Sequence, residues 1–220
     1  MTARGRKRAE GPATEVAAFE FYPTPREAII PLLASPLLTL PGGTWIDPCA
    51  GSGRIPSTVN AMRSDVAWLL VEIDERHMGA LCETLRTSAG PGDSRADLLL
   101  PFGDFVHRPW SHDRADVLIM NPPFSHALEF VQTGLARART VAMLQRTNWI
   151  GPSRAAWLRR HMPDVYQLAK RPSFTGDGST DAAEYSWFVW PDGEHDRRWG
   201  RVAMLDDAEA AVQVPLLGVA

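Results

Sequence analysis

Short apolar runs alternate along the chain with longer segments in which apolar residues recur at helical spacing. The short runs predict buried strands, because strands covered on both faces carry near-continuous apolar residues. The predicted strands are 44–47, 66–71, 116–120, 140–144, 165–169 and 185–190, and the predicted helices are 55–62, 74–88, 125–137 and 153–161. A further helix is expected from Pro25, with Thr24 as its N-cap and Pro25 at the first helical position. This alternation predicts a doubly wound, mostly parallel α/β sheet with helices on both faces.

Polar or glycine-rich loops follow four of the predicted sheet segments. They are Asp47-Pro-Cys-Ala-Gly-Ser-Gly53, Glu72-Ile-Asp74, Gly103-Asp-Phe105 and Asn121-Pro-Pro-Phe124. In doubly wound folds ligands bind beyond the carboxyl ends of the strands, where such loops converge. We therefore expect the four loops to form one binding site.

The first of these loops predicts a nucleoside-type cofactor. Gly51 and Gly53 allow close approach of the backbone to a ligand and a turn into a helix. A dinucleotide fold would have a third glycine at position 56, which is Pro56, so a nicotinamide or flavin site is disfavoured. Glu72 follows Gly51 by 72 − 51 = 21 residues, where a carboxylate can accept both hydroxyls of a ribose.

The composition is that of a soluble globular domain, with 45% hydrophobic and 22% charged residues among 220. The sequence contains no run of about 18 uncharged apolar residues and no secretory signal, so we expect no membrane association and a cytoplasmic protein. Residues 1–18 lack apolar periodicity and predict a disordered basic tail, whereas 19–220 predict a single domain. Two cysteines, Cys49 and Cys82, and six histidines without paired spacing predict no metal site.

The charge distribution bears on a nucleic-acid partner. The formal net charge is −3, whereas a protein that holds nucleic acid by its overall field usually carries a basic excess. Basic residues instead gather in two stretches: Arg4, Arg6, Lys7 and Arg8, and then Arg154, Arg159, Arg160, Lys170 and Arg171. The first stretch is expected to be a solvated tail. The second is either an exposed helix face or a surface that meets phosphates.

Over about 19–190, these motifs resemble the S-adenosylmethionine-dependent adenine-N6 DNA methyltransferases, including small phage-type members. The resemblance implies a mostly parallel, seven-stranded Rossmann-like methyltransferase sheet and S-adenosyl-L-methionine as the cofactor. By the same resemblance Glu72 holds the ribose, Asp104 takes the adenine amino group of the cofactor, and Phe105 packs on that ring. The implied cofactor-binding residues are Tyr22, Thr24, Pro25, Asp47, Pro48, Cys49, Ala50, Gly51, Gly53, Glu72, Ile73, Asp104 and Phe105.

The segment Asn121, Pro122, Pro123 and Phe124 matches the catalytic tetrapeptide of that family. An exocyclic amine is a poor nucleophile because its lone pair is delocalised into the ring. The Asn121 side-chain oxygen and the Pro122 carbonyl can accept its two N–H bonds and favour a tetrahedral nitrogen. The prolines hold that carbonyl rigidly and remove competing N–H donors, and Phe124 offers a face on which an extruded base stacks.

The substrate implied by the resemblance is adenine in DNA, flipped out of a duplex or already single stranded. The polar loop that begins at Lys170 supplies candidate substrate-binding residues: Arg171, Ser173 and Phe174. Only 220 − 190 = 30 residues follow Trp190, too few for a separate target-recognition domain. Recognition is therefore expected from loops, a specificity partner or a second subunit.

Several alternatives share these residues. The same chemistry can act on adenine in ribosomal or transfer RNA, on cytosine N4, or on a protein glutamine amide. The segment that begins at Tyr22 favours the DNA group by resemblance, and the basic stretch at 154–171 argues against a protein substrate. An inactive nucleic-acid-binding module is the alternative from another class, although the motif residues are all present.

Overall fold

The computed structural model describes residues 22–88, 98–99, 103–175, 180 and 182–207. Its strands are β1 (Gly43–Asp47), β2 (Val66–Leu70), β3 (Leu98–Leu99), β4 (Ala115–Met120), β5 (Ala138–Arg146), β6 (Asp164–Gln167), β7 (Tyr185–Trp190) and β8 (Val202–Met204). Its α-helices are α1 (Arg26–Ala34), α2 (Arg54–Met62), α3 (Met78–Ser88), α4 (Ala127–Arg137) and α5 (Ala155–Leu158). Residues 1–18, predicted as a basic tail, lie outside the described residues.

All eight strands form one sheet in the order β3-β2-β1-β4-β5-β7-β6-β8. The strands from β3 through β5 pair in parallel, whereas β7 is antiparallel to both β5 and β6. The predicted doubly wound, mostly parallel sheet is confirmed. Its order reverses between β1 and β4, so the crevice beyond their carboxyl ends is the position where such folds bind ligands.

Both faces of the sheet are covered by apolar contacts. Along β7, Trp187 and Val189 pack into one core cluster with helix residues such as Ile29. Their neighbours Phe188 and Trp190 pack into the other cluster. Because successive strand side chains point to opposite faces, a continuous apolar run is what a strand buried on both sides requires.

The eighth strand extends the seven-stranded sheet and was not predicted. It pairs in parallel with β6, and Val202 and Met204 are exposed. A short strand at the sheet edge needs no buried apolar run, so its sequence resembles a loop. A buried ion pair between Arg197 and Asp164, with Nη2 and Oδ1 2.7 Å apart, connects β6 to the segment that precedes β8.

The start of α1 differs from the prediction. The helix begins at Arg26, and Pro25 is its extended N-cap residue without a side-chain cap. The prediction of Thr24 as N-cap was therefore wrong. Thr24 is buried and lines a pocket at the sheet edge instead.

Candidate functional site

A pocket of about 270 Å³ lies where the loops after β1, β2, β3 and β4 converge. It is lined by 47–52, 72–74 and 103–107, together with Asn121 and Pro123. The structure thus brings together all four loops that the sequence singled out. The candidate residues that line the pocket are Tyr22, Thr24, Asp47, Pro48, Cys49, Ala50, Gly51, Glu72, Ile73, Asp104, Phe105, Asn121 and Pro123. The remaining candidates are not among its lining residues: Pro25, Gly53, Pro122, Phe124, Arg171, Ser173 and Phe174.

The glycine loop owes its shape to two residues in the left-handed region. Gly51 has a φ of 53° and Gly53 a φ of 81°, conformations that residues with a side chain rarely adopt. Gly51 lines the pocket, as expected of a residue that lets a ligand approach. Gly53 instead packs against Thr84 of α3. A Cβ atom at position 53 would lie only 2.8 Å from the Thr84 methyl group. Gly53 therefore serves the packing of α2 on α3.

Asp47 is the most perturbed acid of the pocket. It is 1% exposed, and its Oδ1 accepts a hydrogen bond from the Cys49 backbone N–H at 3.2 Å. Burial, with a smaller effect from the neighbouring Glu72 carboxylate, raises its pKa to about 8. Its Oδ2 is buried and has no hydrogen-bond partner in the described structure. A buried polar atom without a hydrogen-bond partner is costly, so a ligand that hydrogen-bonds to Oδ2 would be stabilised here, as an acceptor from the protonated carboxyl group or as a donor to the ionised one.

Glu72 organises the backbone of the loops around it. Its Oε2 accepts from the Gly51 N–H at 2.6 Å, and its Oε1 accepts from the N–H groups of Ile73 and Asp74. A carboxylate offers about four lone-pair sites. Glu72 therefore fixes the glycine loop and keeps acceptor capacity for a ligand hydroxyl at the pocket wall.

Asp104 and His107 form a polar pair at another wall of the pocket. Asp104 Oδ1 accepts from the Val106 N–H at 2.8 Å, and Oδ2 contacts the His107 ring nitrogen Nδ1. Burial opposes ionisation of Asp104, but hydrogen bonds from the His107 ring and from backbone N–H groups outweigh it and lower its pKa. The same pairing raises the pKa of His107. Asp104 thus presents an ionised acceptor to the pocket at neutral pH.

Phe105 is more enclosed than a ring that stacks on a ligand would be. It is 1% exposed, its ring stacks against Phe130 at 5.8 Å, and the Arg137 guanidinium lies 4.6 Å from its centre. Because Phe130 also lines the pocket, the two rings together form an apolar wall. The predicted packing of Phe105 on the cofactor ring stays a prediction.

The orientation of the Asn121 amide is set by the segment at Tyr22. The Asn121 Nδ2 donates to the Tyr22 carbonyl at 3.1 Å. A carbonyl oxygen can only accept, so the atom that faces it must be the amide nitrogen. Asn121 Oδ1 is therefore turned away from the Tyr22 carbonyl, and Asn121 lines the pocket.

An aromatic cluster lies beside Asn121. The Phe124 ring stacks on Tyr22 with centroids 6.0 Å apart, and the Phe174 ring contacts both Tyr22 and Tyr185. The Arg146 guanidinium lies 4.7 Å from the centre of the Phe124 ring. Phe124 and Phe174, both predicted to contact the substrate base, therefore belong to one surface, and the Arg146 cation lies above the Phe124 ring.

Part of the predicted basic surface is paired with acids. Lys170 Nζ lies 3.1 Å from Asp207, and Arg171 donates to Glu184 at 2.6 Å. Ser173 Oγ is buried without a hydrogen-bond partner in the described structure. Arg154 lies over the Trp149 ring. The roles of Arg171 and Ser173 toward a substrate stay predictions.

Sequence reasoning missed several polar residues of the pocket. His77, His126 and Glu129 all line it, and His126 Nδ1 lies 3.2 Å from Glu129 Oε2. The spacing of three residues at the start of α4 was a usable signal, because such residues share a helix face. Arg54 also lines the pocket, from the first turn of α2.

Cys49 is unsuited to nucleophilic chemistry. Burial, then the Asp47 and Glu72 carboxylates, raises the pKa of its thiol well above the usual value. Reactive cysteines need the opposite environment.

In the parts of the chain that are described, no group of three His, Cys, Asp or Glu side chains could hold a metal ion. No described helix is long and apolar enough to cross a membrane.

Solved structures with the same fold include several methyltransferases. No family model and no curated protein matches the chain. A type I restriction-modification methyltransferase subunit from Streptococcus thermophilus matches 76% of this chain and 43% of its own length, with a TM-score of 0.58 and 14% identity. The M protein of the type I restriction enzyme EcoKI matches 80% of this chain and 46% of its own, with a TM-score of 0.55 and 16% identity.

A smaller protein, provisionally assigned as an RNA methyltransferase, from Pyrococcus horikoshii matches 74% of this chain and 81% of its own, with a TM-score of 0.54 and 15% identity. The chain therefore has the Rossmann-like methyltransferase fold. It spans less than half the length of the two restriction-modification proteins. At these identities the likeness is one of fold.

Proposed function

We propose that this protein transfers a methyl group from S-adenosyl-L-methionine to the exocyclic N6 amine of adenine in DNA. The cofactor, when bound, would supply an electrophilic methyl group on a sulfonium: the S–C bond would break as the amine nitrogen forms the new N–C bond, and one N–H proton would pass to solvent. The protein's own part would be to hold the amine in position.

The residues of the pocket fit that cofactor. Asp47 Oδ2 is a buried polar atom without a hydrogen-bond partner; a ligand hydroxyl could pair with either form of the carboxyl group, and a ligand ammonium group could donate to its ionised form. Glu72 and Asp104 are acceptors at two separate walls of the same pocket, suited to a ribose hydroxyl and to an adenine amino group respectively. The fold is also consistent with a nucleoside-type cofactor, because the strand order reverses between β1 and β4 and the pocket lies beyond the carboxyl ends of these two strands.

The observation that carries the proposal is the orientation of Asn121. Its Nδ2 is engaged by the Tyr22 carbonyl, so Oδ1 is the atom available to accept a hydrogen bond from a substrate. The backbone carbonyl of Pro122, the following residue, is the second acceptor of the proposal. Two acceptors beside the pocket suit a group that carries two N–H bonds, and hydrogen bonds to both would localise the lone pair on its nitrogen.

The aromatic cluster favours a nucleobase as the carrier of that amine. The Phe124 ring is partly exposed, and base–aromatic stacking contributes about 1–3 kcal/mol per base. A base inside a duplex cannot reach Asn121, so the target would be extruded or single stranded. The Arg146 guanidinium over Phe124 adds a positive charge at the entrance to that surface, which suits the phosphates that flank an extruded base.

DNA rather than RNA is proposed on the resemblance of 22–25 to the DNA group. The fold is shared by restriction-modification subunits and by an RNA methyltransferase candidate, so it suits either substrate. We also propose a specificity partner or a second subunit, since one of the proteins that share the fold is a methyltransferase subunit of a type I restriction-modification system.

The test is transfer of tritiated methyl groups to unmethylated DNA, total RNA and cell protein, followed by digestion and identification of the labelled product. N6-methyldeoxyadenosine is the expected product. Asn121→Ala should lower the transfer rate by about 100-fold or more, the effect of losing one preorganised polar group, with cofactor affinity nearly unchanged. Asn148→Ala is the matched control, because Asn148 is an exposed asparagine outside the pocket lining.

Label only in RNA or only in glutamine would overturn the substrate and keep the chemistry. A folded protein that fails to bind S-adenosyl-L-methionine in calorimetry would overturn the chemistry as well. An Asn121→Ala protein with full activity would refute the role of Asn121 in holding the amine.

A further inference from the structure

A buried glutamine contacts the tetrapeptide from the neighbouring strand. Gln145 lies on β5, is 2% exposed, and donates through Nε2 to the Pro122 carbonyl at 3.1 Å. Strands β4 and β5 are parallel, with Met120 opposite Met143. Two residues further along each strand, the same register places Pro122 beside Gln145.

The prolines explain why a side chain makes this bond. Pro122 and Pro123 have no backbone N–H, so β4 cannot continue its ladder beyond Asn121. The Pro122 carbonyl would otherwise be a buried acceptor beside β5, and leaving it without a donor would be costly. The Gln145 amide supplies that donor and fixes the carbonyl direction at the same time.

We propose that Gln145 is a positioning residue for methyl transfer, an inference that rests on the function proposed above. A carbonyl oxygen has two lone pairs. Gln145 occupies one and thereby directs the other toward the amine that Asn121 also holds. Gln145 is not among the residues that line the pocket. It acts through Pro122, whose carbonyl cannot be altered by exchanging a side chain.

The first variant removes the donor and keeps the volume. Gln145→Met is expected to lower kcat by about 10- to 100-fold, as small displacements of reacting groups do, with KM for DNA and affinity for S-adenosyl-L-methionine within about twofold of wild type. Gln167→Met is the matched control, because Gln167 lies on β6, outside the pocket lining. Its kcat should equal that of wild type.

The second variant, Gln145→Glu, makes the donor dependent on protonation. The ionised carboxylate only accepts and would repel the Pro122 carbonyl, whereas the protonated carboxyl group can donate to it. The kcat of this variant relative to wild type should therefore rise as the pH falls. A glutamine that merely stabilises the fold predicts no such recovery, so melting temperatures are measured alongside.

The outcomes separate the two proposals. Wild-type kcat in both variants at every pH, with wild-type protein active, would refute the role of Gln145 and leave the proposed function intact. Loss of activity that follows loss of folding or of cofactor affinity, without recovery at low pH, would also refute it. An inactive wild-type protein that binds the cofactor would overturn the proposed function, and the role of Gln145 with it.

Discussion

Asp47→Asn should remove one steep pH dependence from the free energy of unfolding. The Asp47 pKa of about 8 in the folded chain, raised by burial, exceeds the ordinary value of 3.8. Between these two values the folded protein holds a proton that the unfolded chain has lost. Its contribution to stability is therefore fully present below about pH 4 and is lost as the pH rises toward 8.

The size of this effect follows from linkage. One proton bound in the folded state and absent in the unfolded state changes the free energy of unfolding by about 1.4 kcal/mol per pH unit. From pH 5 to pH 7 the loss amounts to about 3 kcal/mol. The Asp47→Asn variant lacks this dependence, because an amide of the same shape keeps an oxygen for the Cys49 N–H and carries no ionisable proton.

The measurement is urea unfolding at pH 5, 6 and 7, followed by tryptophan fluorescence. Groups remote from Asp47 titrate alike in both proteins, so the difference between wild type and Asp47→Asn reports on Asp47 and its immediate neighbours. Asp113→Asn is the control, because Asp113 is exposed, and its stability should run parallel to wild type. Parallel curves for wild type and Asp47→Asn would refute the view that Asp47 is buried as the protonated acid.

Two further substitutions test the packing around the site. Gly53→Ala should destabilise the fold by about 1–2 kcal/mol because a residue with a side chain is strained at its left-handed φ, and by a further amount because the new Cβ would clash with the Thr84 side chain. Gly193 has a φ of 73° and open space around it, so Gly193→Ala should show the cost of the φ alone. Equal losses of unfolding free energy in the two variants would count against the Thr84 contact. Arg197→Met should cost about 3–5 kcal/mol in the same assay, because it leaves the buried Asp164 without its partner; a loss below about 1 kcal/mol would contradict a buried ion pair there.

The sequence predicted the sheet well because most strands are buried on both faces. Such strands must be apolar throughout, as in the runs that end at Met120 and at Trp190. The strand Val202–Met204 escaped prediction because its side chains are largely exposed. The N-cap of α1 was misassigned because Thr24 has a typical capping residue type, yet its burial at the pocket decides its position.

The site was predictable as four loops but not as a set of contacts. The loops follow strands whose carboxyl ends meet, so Asp47, Glu72, Asp104 and Asn121 had to converge once the strand order was right. The contact of Asn121 with Tyr22 joins residues 99 positions apart, and no local pattern encodes it. The bond from Gln145 depends on the register between two strands, which a buried apolar run does not specify.

Two side-chain amides near the tetrapeptide donate hydrogen bonds to backbone carbonyls. One N–H of the Asn121 amide donates to the Tyr22 carbonyl, and one N–H of the Gln145 amide donates to the Pro122 carbonyl. The two prolines contribute no backbone N–H at all. Since one N–H of each amide is engaged by a protein carbonyl, the Asn121 Oδ1 and the second lone pair of the Pro122 carbonyl are the acceptors proposed to meet a ligand. An amine with two N–H bonds can satisfy both acceptors at once.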